Sequence, residues 1–406
     1  MPLTNLPNNI IANSQVYIYI MRILYYSSPS FGDCDLPLIK ALMDKRHEVY
    51  VLYFINPHCL KSTIFNIDKK YPKSGIFPIS IYPELKVFQK YLPIDHFYIA
   101  NETTGRFGWN SFKTDMQVLS FFKKVKPDVI NYIETPSIFH FLPLWFFRNK
   151  LVLTIHDGKP HTGEGSKKEE FIRKCISKYV RKFILLNQGE VEFFSKGYNV
   201  LLNKIYRSRL GYYDILNLYG SSDVSKQPMI LFFGRISKYK GVEYLLEAMK
   251  IVHQKYPQVK VVVAGKGNYH FDITEYENLS YVDIRNRFIS LEELTELIRS
   301  ALVTVCPYTD ATQSGVVYSS FALHTPVVAS KVGGLPEMIE DGKTGILVPP
   351  KDVNALANAL LSLLDNPNQL QCFSDNIKLS AKNGKGSWSQ IADQYLRIYN
   401  TAINHE

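Results

Sequence analysis

Long hydrophobic runs are missing from this chain. No stretch approaches the roughly 18–20 consecutive apolar residues that span a bilayer, so no transmembrane helix is expected. Cysteine is scarce: Cys34, Cys59, Cys175, Cys306 and Cys372 are the only five in 406 residues. Their odd number and wide spacing fit neither a zinc motif nor a disulfide framework, which points to a reducing, cytoplasmic compartment. A secretory leader is not expected in the first twenty residues either. The first twenty residues have no basic start, and no small-residue cleavage site follows Tyr17-Ile18-Tyr19-Ile20. Met21 directly precedes a strong strand and is the expected true start, with residues 1–20 a disordered extension. No nucleic-acid-binding motif is recognisable and the basic residues are scattered, so nucleic acid is not an expected partner.

What is present is ordinary for a globular protein: 46% hydrophobic and 21% charged residues, in a length that implies two domains. The formal net charge of +10 suits a polyphosphate-bearing substrate or an anionic lipid surface.

Apolar strand-like runs alternate with helix-like segments. Strands are expected at 22–27, 48–53, 128–133, 151–155 and 183–186, with a helix near Leu36–Lys45. Such near-continuous apolar strands belong to a parallel sheet covered on both faces. Residues 58–110, rich in Lys, Pro and aromatics, read as an irregular insertion. Residues 208–228 read as the linker. The rhythm then restarts with strands at 229–233, 260–264, 302–306 and 326–329, and helices at 242–256, 291–301 and 353–364. The tail 388–402 is an amphipathic helix with Ile391, Tyr395, Ile398 and Tyr399 on one stripe. The expected fold is thus α/β, with two doubly wound, Rossmann-like parallel-sheet domains. The expected divisions are 1–20, 21–212, 213–387 and a C-terminal helix, 388–406, packing across the domain junction.

The loop Gly234-Arg235-Ile236-Ser237-Lys238-Tyr239-Lys240-Gly241 follows a strand and precedes a helix. Open α/β sheets hold phosphates at that place. Arg235 grips two oxygens at once, Lys240 adds a point charge, and the glycines let the backbone approach. A solvated basic loop is the plainer alternative, and the placement favours phosphate. Gly265, after the next strand, fits a tight turn as well as ligand contact. Gln313, Ser314, Gly315 and Val316 offer small residues and free amides, or simply a helix start capped by Thr312 or Ser314.

In the first half, His156-Asp157 ends a strand, where an imidazole can meet a sugar hydroxyl or a developing charge; His161 is a second candidate. Gly32 lies in the loop after the first strand. The neighbouring Asp33-Cys34-Asp35 reads as acids opening a helix rather than as a metal pair, with a role in orienting an acceptor hydroxyl left open. The apolar-basic segment Lys167–Lys182 and the aromatic stretch Phe141–Phe147 each read as core-facing, with membrane contact as the alternative.

Taken together, the Gly-Arg-x-x-x-x-Lys-Gly loop, the run Pro326-Val327-Val328-Ala329-Ser330 with Gly333-Gly334-Leu335-Pro336-Glu337, its continuation through Gly345, the Thr-Ile-His-Asp segment and Ser387-Trp388 resemble glycosyltransferase family 4. The resemblance spans residue 21 to about 404. It implies the GT-B fold, with an acceptor-side first domain, a nucleotide-sugar-binding second domain and an interdomain cleft, and sugar transfer with retention of configuration. By the same resemblance Arg235 and Lys240 match the diphosphate contacts, His156 the histidine touching the donor sugar, and Gly32 the glycine loop under the phosphates. Gln313 to Val316 match the loop that holds sugar hydroxyls and the distal phosphate, and Gly234 and Gly265 line the donor. Many members carry two glutamates flanking that loop. Here they fall on Ala311 or Thr312 and on Ser319 or Ser320, neither acidic; Glu337 is the nearest remaining acid after the Gly-Gly turn, or simply a helix N-terminal residue.

The expected activity is therefore transfer from a nucleoside-diphosphate sugar to a saccharide or lipid-linked acceptor, in surface-polysaccharide synthesis. It needs no cofactor and no metal, and contact with the inner face of the cell membrane is peripheral. Two rival readings stand beside it: a nucleotide-sugar epimerase or phosphorylase on the same fold, and a non-catalytic binder of nucleotide sugars or polyanions.

Overall fold

This computed structural model describes residues 10–13, 16–55, 64–65, 67, 71–102, 109–133, 141–156, 158, 167–311 and 313–403. The chain forms two compact units, one of residues Met1–Arg209 with Ile391–Glu406, the other of Leu210–Gln390.

The first unit begins with a small antiparallel pair, β1 (Ile10–Asn13) and β2 (Val16–Tyr19), inside the stretch expected to lack order. The alternating β-branched and aromatic residues of β2 suit a strand. Then come β3 (Arg22–Ser27), α1 (Gly32–Asp44), β4 (Glu48–Ile55), β5 (Gly75–Pro78), β6 (Phe97–Asn101), α2 (Trp109–Val125), β7 (Val129–Ile133), α3 (Phe141–Phe146), β8 (Leu151–Ile155), α4 (Lys167–Ser177), β9 (Lys182–Leu185), α5 (Val191–Tyr198) and β10 (Ile205–Arg207). The sheet order is β10-β9-β8-β7-β3-β4-β6-β5, and every pair except β5–β6 is parallel. The expected insertion at 58–110 therefore needs correction: β5 and β6 extend the main sheet. Their strand signal was hidden among lysines and prolines, yet Phe97, Ile99 and Ala100 are fully buried. Five consecutive buried residues in each of β7 and β8 show why these runs read as doubly covered strands.

The second unit holds β11 (Met229–Phe233), α6 (Val242–Lys255), β12 (Lys260–Ala264), α7 (Thr274–Glu277), β13 (Val282–Arg285), α8 (Leu291–Ser300), β14 (Val303–Cys306), α9 (Gly315–Ala322), β15 (Val327–Ser330), α10 (Leu335–Met338), β16 (Gly345–Val348), α11 (Val353–Asp365) and α12 (Pro367–Asn383). Its sheet, β13-β12-β11-β14-β15-β16, is wholly parallel. The chain builds outward from β11 through β12 and β13, then crosses to β14 on the other side. That reversal between β11 and β14 makes a crevice at the strands' carboxyl ends, where open sheets take their ligands. In the first sheet the reversal lies between β3 and β7.

The last helix, α13 (Trp388–Ile403), belongs to both units. Its stripe of Ile391, Tyr395, Ile398 and Tyr399 is buried in the first unit. Its first residue, Trp388, is anchored in the second, where the indole Nε1 donates to the Tyr212 carbonyl at 2.6 Å. Among the described residues no helix is long and apolar enough to cross a membrane.

Trp388 is 7% exposed. Trp388→Ala should cost about 3–5 kcal/mol in chemical denaturation, whereas Trp388→Phe, which loses the hydrogen bond and part of the ring, should cost clearly less. Equal losses would contradict packing as the main term.

Candidate functional site

The carboxyl ends of the second sheet gather three loops. The first leaves β11 at Gly234, whose amide donates to the Ala264 carbonyl at 3.0 Å, followed by Ile236 to the Lys266 carbonyl at 3.1 Å. This stitches it to the loop after β12. The fit requires glycine: Gly265 has φ +153°, and a Cβ there would collide with the Gly234 carbonyl. The first loop then makes one tight turn over Lys238–Lys240 and ends in the left-handed Gly241, φ +63°, whose missing Cβ leaves room for the Pro307 carbonyl. The third loop, after β14, is fastened by the Thr309 amide to the Tyr239 carbonyl at 2.8 Å.

This close approach puts Lys240 into the protein. It is 9% exposed, and its Nζ lies 3.8 Å from the centroid of the Tyr308 ring and 5.1 Å from that of Tyr239. Among the described residues no carboxylate pairs with it. Burial pushes its pKa down to about 8, and the nearby Arg235 charge adds to the effect. Ring faces attract an ammonium, but they do not replace its hydration. A lysine held this way favours an incoming anion.

Arg235 is exposed at the start of the same loop. The Tyr308 hydroxyl and Ser314 Oγ lie 3.1 Å apart, and this contact fixes the start of α9. Ser314 is therefore the N-cap residue, but its hydroxyl is engaged with Tyr308 rather than with an amide of α9. Thr312 lies outside the described residues. Gly315 is exposed at the first helical position and Gln313 is half-buried. Val316 Cγ2 sits 3.4 Å from where a Cβ on Gly234 would be, so the first and third loops abut. The structure thus brings Arg235, Lys240, Gly234, Gly265, Gln313, Ser314, Gly315 and Val316 to one sheet edge. Glu337 is exposed on α10, after a loop whose Gly333 packs against the Ala311 carbonyl. Of the two serines at the second glutamate position, Ser320 is committed to the core, donating to Thr304 Oγ1 at 2.9 Å, while Ser319 is 5% exposed.

Tyr308 was not among the sequence candidates. Its signal was an aromatic two residues past the end of β14, at the reversal of strand order. That signal has meaning only once the order is known.

In the first unit, His156 follows β8 directly and is half-buried. Its ring packs on Phe31 with centroids 4.4 Å apart, and its Nε2 lies 3.9 Å from Cys34 Sγ. Gly32 opens α1 with ordinary helical angles, and the close approach it permits is to Phe65, whose ring a Cβ would strike. The acids beside it part ways. Asp33 is half-buried, while Asp35 is buried and accepts from the hydroxyls of Tyr25 and Ser27 on β3 rather than capping helix amides. Asp157 and His161 lie outside the described residues. Of the two segments that could face core or membrane, α4 buries Ile172 and Ile176 and exposes Phe171; α3 buries Leu144 and exposes Leu142, Trp145 and Phe146.

Residues 227–366 match the family model for Glycosyl transferases group 1. An uncharacterized glycosyltransferase of Methanocaldococcus jannaschii is 33% identical over 184 residues, which are 44% of this chain and 46% of that protein. The alpha-D-kanosaminyltransferase of Streptomyces kanamyceticus is 31% identical over 186 residues, 45% of this chain and 47% of that one. The chain thus covers about half the length of these curated relatives. Among solved structures, the sucrose-phosphate synthase of Thermosynechococcus elongatus superposes with TM-score 0.65 at 19% identity, covering 95% of this chain and 99% of that one. Anabaena HepE, solved in complex with UDP, gives 0.66 at 17%, with 94% and 100% covered. The fold is GT-B.

Lys240→Met tests the buried charge. The native lysine binds its proton less tightly when folded than when unfolded, so it costs stability most below pH 8 and least above the unfolded value near 10.5. In anion-free buffer at pH 7 the variant should be more stable by up to about 3 kcal/mol, and the gap should close as pH rises from 8 to 10.5. A gap independent of pH, read by urea denaturation, would contradict the assignment.

Proposed function

We propose that this protein is a retaining glycosyltransferase of the family-4 type, which moves a sugar from a nucleoside-diphosphate donor to a saccharide or lipid-linked saccharide. The observation that carries this reading is the buried Lys240 ammonium, which has no carboxylate partner among the described residues. It lies at the strand-order reversal of the second sheet, in the same loop as Arg235 and over the ring of Tyr308, whose hydroxyl meets Ser314. The match of residues 227–366 to a glycosyltransferase model supports it.

In the proposed reaction the bond between the anomeric carbon and the β-phosphate oxygen breaks as negative charge grows on the diphosphate. Lys240 and Arg235 stabilise that charge, because fixed cations beside it need no reorganisation. The acceptor oxygen bonds to the anomeric carbon on the same face, and its proton passes to the departing phosphate oxygen. The loop amides at Gln313, Ser314, Gly315 and Val316 hold the sugar and the distal phosphate, with Gly234 and Gly265 beneath. His156 is the candidate contact for the transferred sugar, Gly32 supports the phosphates, and Glu337 is the acid left for hydroxyl recognition. No metal or cofactor enters this scheme. Surface-polysaccharide synthesis is the proposed setting.

Lys240→Ala should lower turnover by about 100-fold or more, measured as nucleoside diphosphate released in the presence of acceptor. Near-native turnover refutes the role. Release of a rearranged sugar nucleotide without acceptor points instead to an epimerase, and donor binding with neither transfer nor hydrolysis points to a non-catalytic binder.

Peripheral contact with an anionic membrane is part of this proposal. Leu142, Trp145 and Phe146 of α3, with Phe112 and Met116 of the adjoining α2, are each at least 42% exposed. The Arg148 guanidinium lies 4.6 Å over the Trp145 ring, which couples a cation to an interfacial aromatic. The protein should sediment with vesicles containing phosphatidylglycerol and not with neutral ones. Replacing Trp145 and Phe146 together by serine should abolish this, and unchanged sedimentation of that variant removes the patch from the proposal.

A further inference from the structure

The geometry points to a second ligand site, confined to the first unit: we propose that Cys34, Asp35 and His156 bind a zinc ion. Cys34 and Asp35 sit in the first turn of α1, and His156 follows β8. One ligand atom from each lies within 4.8 Å of the others, the one such trio among the described residues. Tetrahedral zinc, with bonds of about 2.0–2.3 Å, sets donor atoms roughly 3.5 Å apart, so side-chain shifts of about 1 Å would close the site. The Sγ–Nε2 separation is already 3.9 Å.

The donor chemistry selects the metal. A thiolate and an imidazole with a single carboxylate suit zinc or cobalt, whereas magnesium and manganese prefer all-oxygen sites. The outer groups are in place as well. Tyr25 and Ser27 hold the Asp35 carboxylate by hydrogen bonds, and Phe31 stacks against the imidazole. Oriented ligands of this kind are what a metal site requires. The Tyr53 hydroxyl, on β4 next to β3, is also fully buried and has no hydrogen-bond partner among the described residues.

On binding, the Cys34 thiol gives its proton to solvent and its sulfur to the metal, leaving the Phe31 carbonyl it now meets at 3.1 Å. Three protein ligands leave a fourth position for water. The ion would occupy the imidazole that the proposed transfer assigns to the sugar. Zinc is then an inhibitor on that reading, while its binding stands whether or not that reading holds.

The test is a cobalt(II) titration of the reduced, chelator-stripped full chain. One equivalent should raise a thiolate-to-cobalt charge-transfer band, which zinc should then displace. The band should be lost in Cys34→Ser and kept in Cys372→Ser, since Cys372 is an exposed thiol elsewhere. In His156→Gln, at a half-exposed position that tolerates change, it should need a clear excess of cobalt to develop. No band from the folded native chain, a band surviving in Cys34→Ser, or an unchanged titration in His156→Gln overturns the proposal.

Discussion

An ammonium group set into the protein against tyrosine rings, with no carboxylate beside it among the described residues, is the constraint around which the second unit is arranged. A charge in that position is costly, and a carboxylate beside it would offset only part of that cost. The surrounding chain is shaped to keep the lysine there. Gly241 brings the loop onto the Pro307 carbonyl, Thr309 ties it down, and Tyr308 offers its ring face to the ammonium and its hydroxyl to Ser314. On the proposed function, the stability forgone becomes affinity for the anionic donor.

The parallel sheet makes this arrangement available. Strands that leave β11 in opposite directions open their following loops toward each other. The basic loop and the small-residue loop are some seventy positions apart in sequence, yet they abut through Gly234 and Val316. The first unit repeats the design with different contents. Its edge carries a histidine, a buried cysteine and a buried aspartate, with aromatic and hydroxyl neighbours around them.

Much of the architecture was readable as pattern. Runs such as Val261-Val262-Val263 and Val327-Val328-Ala329 are apolar at every position because both faces of the sheet are covered, and their limits fell within a residue of the observed strands. The reading failed where the pattern was diluted. β6 lies among prolines and lysines, α2 was passed over, and α12 was missed because its exposed face carries so much polar sequence.

By itself, the amino-acid sequence determined the two doubly wound sheets and the identity of the basic loop, since periodicity and the Gly-Arg…Lys-Gly spacing are local properties of the chain. Only the tertiary structure decided that Lys240 is buried while Arg235 is exposed, that Tyr308 lies beneath the ammonium, that Ser320 faces the core, and that Asp35 turns inward beside Cys34 and His156. Burial and charge environment arise from contacts between residues far apart in sequence, and those contacts do not exist until the strands have taken their order.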